Sequence, residues 1–316
     1  MRHPIAFLFP GQGAQYLQMG LDFYEQFIEA KETFQEAEDI LSFPLTTLIS
    51  EGPLSALTLT KNSQVAIFVV SVALLRVLEK QFPEIQPQVC AGLSLGEYSA
   101  LVAARKGHFN DVLELVKERA LYMHEACETH AGSMKVVLGL SVSAIEDSLR
   151  SSHFHKQVWI ANLNCPGQVV ISGDATAMDA FSALLKERGA KRVLPLEVSG
   201  AFHSGLMEEA RKKLAPKIAV VPLQNSNIDL VMNVSGDYVS GVSQMRETLI
   251  AQVTGTVFWE KGIRSMVQRG VRTFLEIGCG TTLSGMLKRI DISALNVEKI
   301  SDLDKLAKFS ETLCSH

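Results

Sequence analysis

Four short runs limit most narrowly what this chain can fold into: PIAFLF (4–9), QVCAG (88–92), DLVMNV (229–234) and RTFLEI (272–277). Each reads as a strand, and the first stops at Pro10-Gly11-Gln12-Gly13. They lack the regular apolar–polar alternation of a strand with one wet face. A strand of a parallel sheet is covered on both faces and so reads as a nearly solid apolar run. The intervening segments read as helices. Residues 63–82 (SQVAIFVVSVALLRVLEKQF) are apolar on most sides, the pattern of a buried helix, and Pro83 stops it. Further helices are predicted over Glu97–Ala104 and about 110–128. Strands separated by helices predict the α/β class with a mainly parallel sheet.

The stretch 130–197 follows another order. A strand at 133–140 precedes a helix from Ser143, strands near 157–163 and 168–172, a helix at 176–188 and a strand at 191–196. That βαββαβ order is the ferredoxin-like pattern. It predicts a ferredoxin-like subdomain (130–197) inserted into a larger domain built from 1–129 and 198–316.

Composition narrows the function classes. Of 316 residues, 47% are hydrophobic and 20% charged, which supports a buried core and excludes disorder. The net charge of -4 makes no electrostatic case for nucleic acid or an anionic membrane as partner. Five cysteines (90, 127, 165, 279, 314) form no CxxC pair and no zinc-type cluster, so reduced thiols in the cytoplasm and no metal are expected. The apolar start is too short for a signal peptide or a membrane span.

Gly92-Leu93-Ser94-Leu95-Gly96 follows a strand and opens a helix, the setting of a nucleophile elbow. The helix N-terminus adds positive potential, and the Leu95 amide can face a developing oxyanion. A plain helix-capping serine is the alternative. Eight histidines compete as base: 3, 108, 124, 130, 153, 155, 203 and 316. His203 stands out, in a loop of small residues (SGAFHS) just past a strand, where open α/β sheets gather their functional groups. Most of the others read as surface or terminal imidazoles. On the helix at 111–128, Val112, Leu115, Val116, Met123 and Cys127 share one face, and Arg119 falls inside that stripe. A guanidinium turned inward needs an anion, either a protein carboxylate or one carried by a substrate. The Gly11-Gln12-Gly13 loop lacks the third glycine of a dinucleotide site and suits a substrate-facing loop or a second oxyanion donor. Gln252 can support the site or be a surface amide.

Taken together, several stretches resemble the malonyl-CoA:acyl carrier protein transacylases. They are LFPGQGAQYLQMG (8–20), AGLSLGEYSALVAA (91–104), the Arg119 helix, NCPGQVVISG (164–173), VSGAFHSGLM (198–207), NVSG from Asn233, and FLEIGCGTTLSGMLKRI (274–290). They run in order from end to end. The resemblance implies an α/β-hydrolase-like core with an inserted ferredoxin-like subdomain. It implies Ser94 as acyl nucleophile, His203 as base, and Arg119 as the holder of the malonyl carboxylate. It further implies the Gln12 and Leu95 amides as the oxyanion hole, and the Gln252 carbonyl in the place of a triad acid. Malonyl-CoA and acyl carrier protein are the implied partners. The CoA thioester and the carrier's phosphopantetheine are then substrates, and no cofactor is needed. A cytoplasmic monomer is expected, with Lys191, Arg192 and Arg211 as contacts for an acidic carrier. Two positions depart from the family pattern: Leu93 stands where histidine is usual, and Cys279 where proline is usual. A serine hydrolase and a carrier-binding module with a decayed site are the rival readings.

Overall fold

The computed structural model describes residues 4–198 and 200–314. Strand β1 (Ile5–Phe9) is followed by five helices: α1 (Leu21–Gln26), α2 (Ile28–Leu41), α3 (Leu45–Glu51), α4 (Leu54–Thr58) and α5 (Thr60–Gln81). Strand β2 (Val89–Gly92) leads into α6 (Gly96–Ala103) and α7 (Phe109–Thr129). Then come β3 (Gly132–Leu138), α8 (Val142–Arg150), β4 (Val158–Cys165), β5 (Gln168–Asp174), α9 (Ala175–Glu187) and β6 (Arg192–Pro195). The remainder holds α10 (Glu208–Val220), β7 (Asp229–Met232), β8 (Asp237–Tyr238), α11 (Gly241–Gln252), α12 (Trp259–Gln268), β9 (Thr273–Ile277), α13 (Thr282–Lys288), β10 (Leu295–Val297) and α14 (Leu303–Cys314).

The larger sheet has the order β10-β9-β1-β2-β7-β8, parallel throughout except for β8. All five residues of the central β1 are buried, and strand alternation sends them into two layers. Ile5, Phe7 and Phe9 join the layer containing α5, whereas Ala6 and Leu8 join Ile263, Met266, Leu283 and Leu287 from α12 and α13. Helices thus cover both faces, which is why these strands read as solid apolar runs.

Helix α5 is the one described helix long and apolar enough to cross a membrane, by length and composition. Here it is a core helix. It is packed between α2 and α7, with Phe68 stacked on Phe109 at 5.6 Å. Apolar periodicity assigned no elements over 21–58, yet α1–α4 occupy this region. The reason is visible in α2, which buries only Ala30, Thr33, Phe34, Ala37 and Leu41, one stripe of an otherwise charged helix.

The second sheet is antiparallel in the order β4-β5-β3-β6, the strand order of a ferredoxin-like βαββαβ unit. Its helices start at side-chain caps, Ser141 accepting from Ala144 N at 3.2 Å and Asp174 from Ala177 N at 3.0 Å. Strand β4 carries a bulge at Ile160/Asn162. There Leu163 N donates to Val257 O (2.9 Å) and Val257 N to Ala161 O (2.8 Å), joining the small sheet to the segment that follows α11.

Candidate active site

Ser94 sits between β2 and α6 with φ 53°, in the left-handed region that a non-glycine residue enters only under constraint. The glycines around it are steric necessities. A Cβ on Gly92 would lie 1.9 Å from the Gly96 carbonyl carbon, and one on Gly96 would lie 2.2 Å from Phe9 O. The turn is fastened from outside. Ser94 N donates to Asn233 Oδ1 at 2.7 Å, while Asn233 Nδ2 donates to Gly92 O at 2.7 Å.

His203 also has a left-handed backbone (φ 57°) and is buried. Its Nδ1 lies 2.8 Å from Gln252 O, and its Nε2 lies 2.8 Å from Ser94 Oγ. A carbonyl only accepts, so Nδ1 carries the proton and Nε2 offers its lone pair to the serine hydroxyl. Burial, and then the Arg119 cation, hold the ring down to about 4, so it is neutral at physiological pH. Of the other histidines, His108, His130, His153 and His155 are exposed. His124 is buried on α7 with Nε2 3.6 Å from Glu128. His3 and His316 lie outside the described residues.

Arg119 is 1% exposed. Its Nη2 donates to Ser94 Oγ (3.0 Å) and to Gln252 Oε1 (2.9 Å), and its Nη1 donates to Gln64 Oε1. The Tyr98 ring lies 5.3 Å from its guanidinium carbon. Among the described residues no carboxylate comes within ion-pair distance of it, so the protein-carboxylate alternative falls away. Burial lowers its pKa, against the favourable fields of Tyr98 and Glu97.

Gln252 is fully buried, which removes the surface-amide alternative. Its Nε2 donates to Ser94 O at 2.8 Å and to Glu97 Oε2 at 2.5 Å. Glu97 Oε1 in turn accepts from Asn233 N. Burial pushes the Glu97 carboxyl up to about 8, opposed by those two N–H donors and by Arg119. Gln64, Glu97 and Asn233 were missed in the sequence. The available signal was a polar residue inside an apolar helix for the first two, and a polar residue at the end of a sheet strand for Asn233.

Gln12 and Leu95 flank the serine from two loops. Neither main-chain N–H meets an acceptor among the described residues, while the Gln12 side chain bonds Thr60 at 3.2 Å. Ser94 and His203 open into a cavity of about 260 Å³ whose walls include Gln12, Leu93, Asn162, Asn164 and Met286. Leu93 thus gives the cavity an apolar wall. Cys279 is a buried packing residue at the end of β9, and burial pushes its thiol up to about 12. Lys191 and Arg192 are exposed. Arg211 is not free, because Nε and Nη2 grip Glu208 at 2.7 and 2.6 Å. Among the described residues, no group of three or more His, Cys, Asp or Glu is placed to hold a metal ion.

A half-buried serine bonded to a neutral imidazole, beside a buried cation without a counter-ion, is equipped to exchange acyl groups that carry a negative charge. The family model described as "Acyl transferase domain" matches residues 6–306. A malonyl CoA-acyl carrier protein transacylase of Bacillus subtilis is 42% identical over 312 residues, covering 98% of this chain and 97% of that protein. The crystal structure of a malonyl CoA-acyl carrier protein transacylase from Clostridium perfringens superposes with a TM-score of 0.93 at 35% identity, covering 99% of this chain and 100% of that one. A malonyl-transacylase solved in complex with a type II PKS acyl-carrier protein superposes with a TM-score of 0.90 at 36% identity, covering 95% and 97%.

Proposed function

The chain belongs to the acyl transferase domain family, among the malonyl CoA-acyl carrier protein transacylases, and from that premise we propose a malonyl transfer from malonyl-CoA to acyl carrier protein through an ester on Ser94. The observation that carries this reading is Arg119. A buried guanidinium bonded to the nucleophile and answered only by neutral oxygens suits an acyl group with its own carboxylate.

The chemistry follows from the geometry. His203 Nε2 takes the Ser94 proton as Oγ attacks the thioester carbonyl carbon. The Gln12 and Leu95 amides receive the oxyanion, and the α6 N-terminus adds its positive end. The C–S bond then breaks, and the CoA sulfur leaves as thiol with the proton held by His203. The Gln252 carbonyl keeps the imidazolium oriented through Nδ1. In the second half, His203 takes the proton of the carrier's phosphopantetheine thiol. The sulfur attacks the malonyl ester, and Ser94 leaves with that proton. Arg119 holds the malonyl carboxylate through both halves and donates to Oγ, which eases formation of the alkoxide.

The CoA thioester and the carrier thiol are substrates, so this reaction calls for no metal and no redox cofactor. The enzyme acts in fatty acid synthesis, and we assign it to the cytoplasm as a monomer, with neither nucleic acid nor membrane among its partners. We take 130–197 as a domain inserted into a catalytic domain of 1–129 and 198–316. Exposed Lys191 and Arg192 suit an acidic carrier; the Arg211–Glu208 pair does not.

Incubation with labelled malonyl-CoA, with and without acyl carrier protein, tests the reading. Label should settle on Ser94 and pass to the carrier when it is added. Free malonate released at once would instead indicate a hydrolase, and no label a binding module.

A further inference from the structure

Glu97 is 1% exposed, in the first turn of α6, and touches neither the cavity nor the Ser94 side chain. Its two oxygens face two N–H donors, the Asn233 main chain and Gln252 Nε2. The same Nε2 donates to Ser94 O. A carboxylate and a carbonyl on one side thus decide which way the Gln252 amide points. Reversed, the amide would turn its oxygen on both of them and its NH2 on Arg119 Nη2. In the observed orientation Oε1 meets Arg119 Nη2 at 2.9 Å.

We propose that Glu97 is a positioning residue that orients the Gln252 amide, so that Arg119 is held by neutral acceptors alone and stays available to the substrate carboxylate. An acid bonded directly to Arg119 would compete with malonate for the same donors. Gln252 stands between them, so Glu97 contributes its orienting bond without occupying the guanidinium. The inference rests on the role given to Arg119 above.

The test is Glu97→Gln in the full chain, assayed with malonyl-CoA and acetyl-CoA beside wild type. The variant keeps size and one oxygen but sets an NH2 against either Gln252 Nε2 or Asn233 N–H. Losing one of these two bonds, and with it the Arg119 alignment, should raise KM for malonyl-CoA by about tenfold. The malonyl-over-acetyl ratio should fall by a similar factor. Adding Glu97→Gln to Gln252→Ala should change nothing further, since the effect passes through that amide. A folded Glu97→Gln enzyme with the wild-type KM and ratio overturns the proposal, and so does an equal loss toward both donors, which marks a merely structural role. If Glu97→Gln does not fold, Glu97→Asp, drawn back from Gln252, is read by the same criteria. Wild type that transfers no malonyl overturns the function and this inference together; active wild type with an unaltered variant overturns only the inference.

Discussion

Replacing Arg119 by alanine tests the acyl-selecting role proposed for this cation apart from the Ser94–His203 pair. In the native site the guanidinium donates to Ser94 Oγ, Gln252 Oε1 and Gln64 Oε1. A malonyl carboxylate entering the variant meets those two amide oxygens with no cation between them. Truncating one partner of a buried charge pair costs about 2–5 kcal/mol. That corresponds to roughly 30- to 5,000-fold in kcat/KM for malonyl-CoA. Acetyl-CoA has no carboxylate and loses only the donor on Oγ, about 1 kcal/mol or roughly fivefold. The malonyl-over-acetyl ratio should therefore fall by roughly one to three decades. The assay is initial-rate transfer of each acyl group to acyl carrier protein, with a thermal melt to confirm folding. A folded variant that keeps the wild-type ratio would refute the assignment, however much absolute activity it lost.

Three further outcomes can be measured. With His203 held down to about 4, kcat/KM should rise with pH through about 4 and be flat from there to neutrality; a limb at the ordinary histidine value of 6.5 would contradict a buried, cation-flanked base. In Arg119→Ala the same limb should move upward, because the cation that disfavours protonation is gone; a downward or absent shift in the pH profile refutes that coupling. Gly96→Ala sets a Cβ 2.2 Å from Phe9 O, so it should cost about 3 kcal/mol or more and displace the elbow, read as lost cooperativity in a denaturant melt; wild-type stability would show that the turn is looser than described.

Much of the fold is legible in the sequence because burial on both faces leaves a plain mark: β1, β2 and β9 read as apolar runs, and α5 as a helix without a wet side. Arg119 is legible for the complementary reason, a charge inside an apolar stripe. What could not be read are the partnerships. Gln252 meets Glu97 across 155 residues, and Asn233 meets Ser94 across 139, so no local spacing pairs them. Whether Gln252 lay inside or outside depended on how α11 packs, which its weakly patterned sequence does not declare. Nor can the sequence show that Glu208, one helical turn before Arg211, turns to meet it.

The seam between β4 and Val257 has a practical meaning for anyone who wishes to rebuild this enzyme. Ser94, Arg119 and Gln252 come from the parallel sheet and its helices and His203 from the loop between β6 and α10, whereas Asn162, Asn164 and Gln168 come from the small antiparallel sheet across the opening. The main-chain bridge between the halves runs through Ala161, Leu163 and Val257 and borrows no side chain. Swapping side chains on the small-sheet wall therefore leaves the bridge and the reacting groups in place, so a library of altered donors or carriers can be sought on one wall while the other is kept constant.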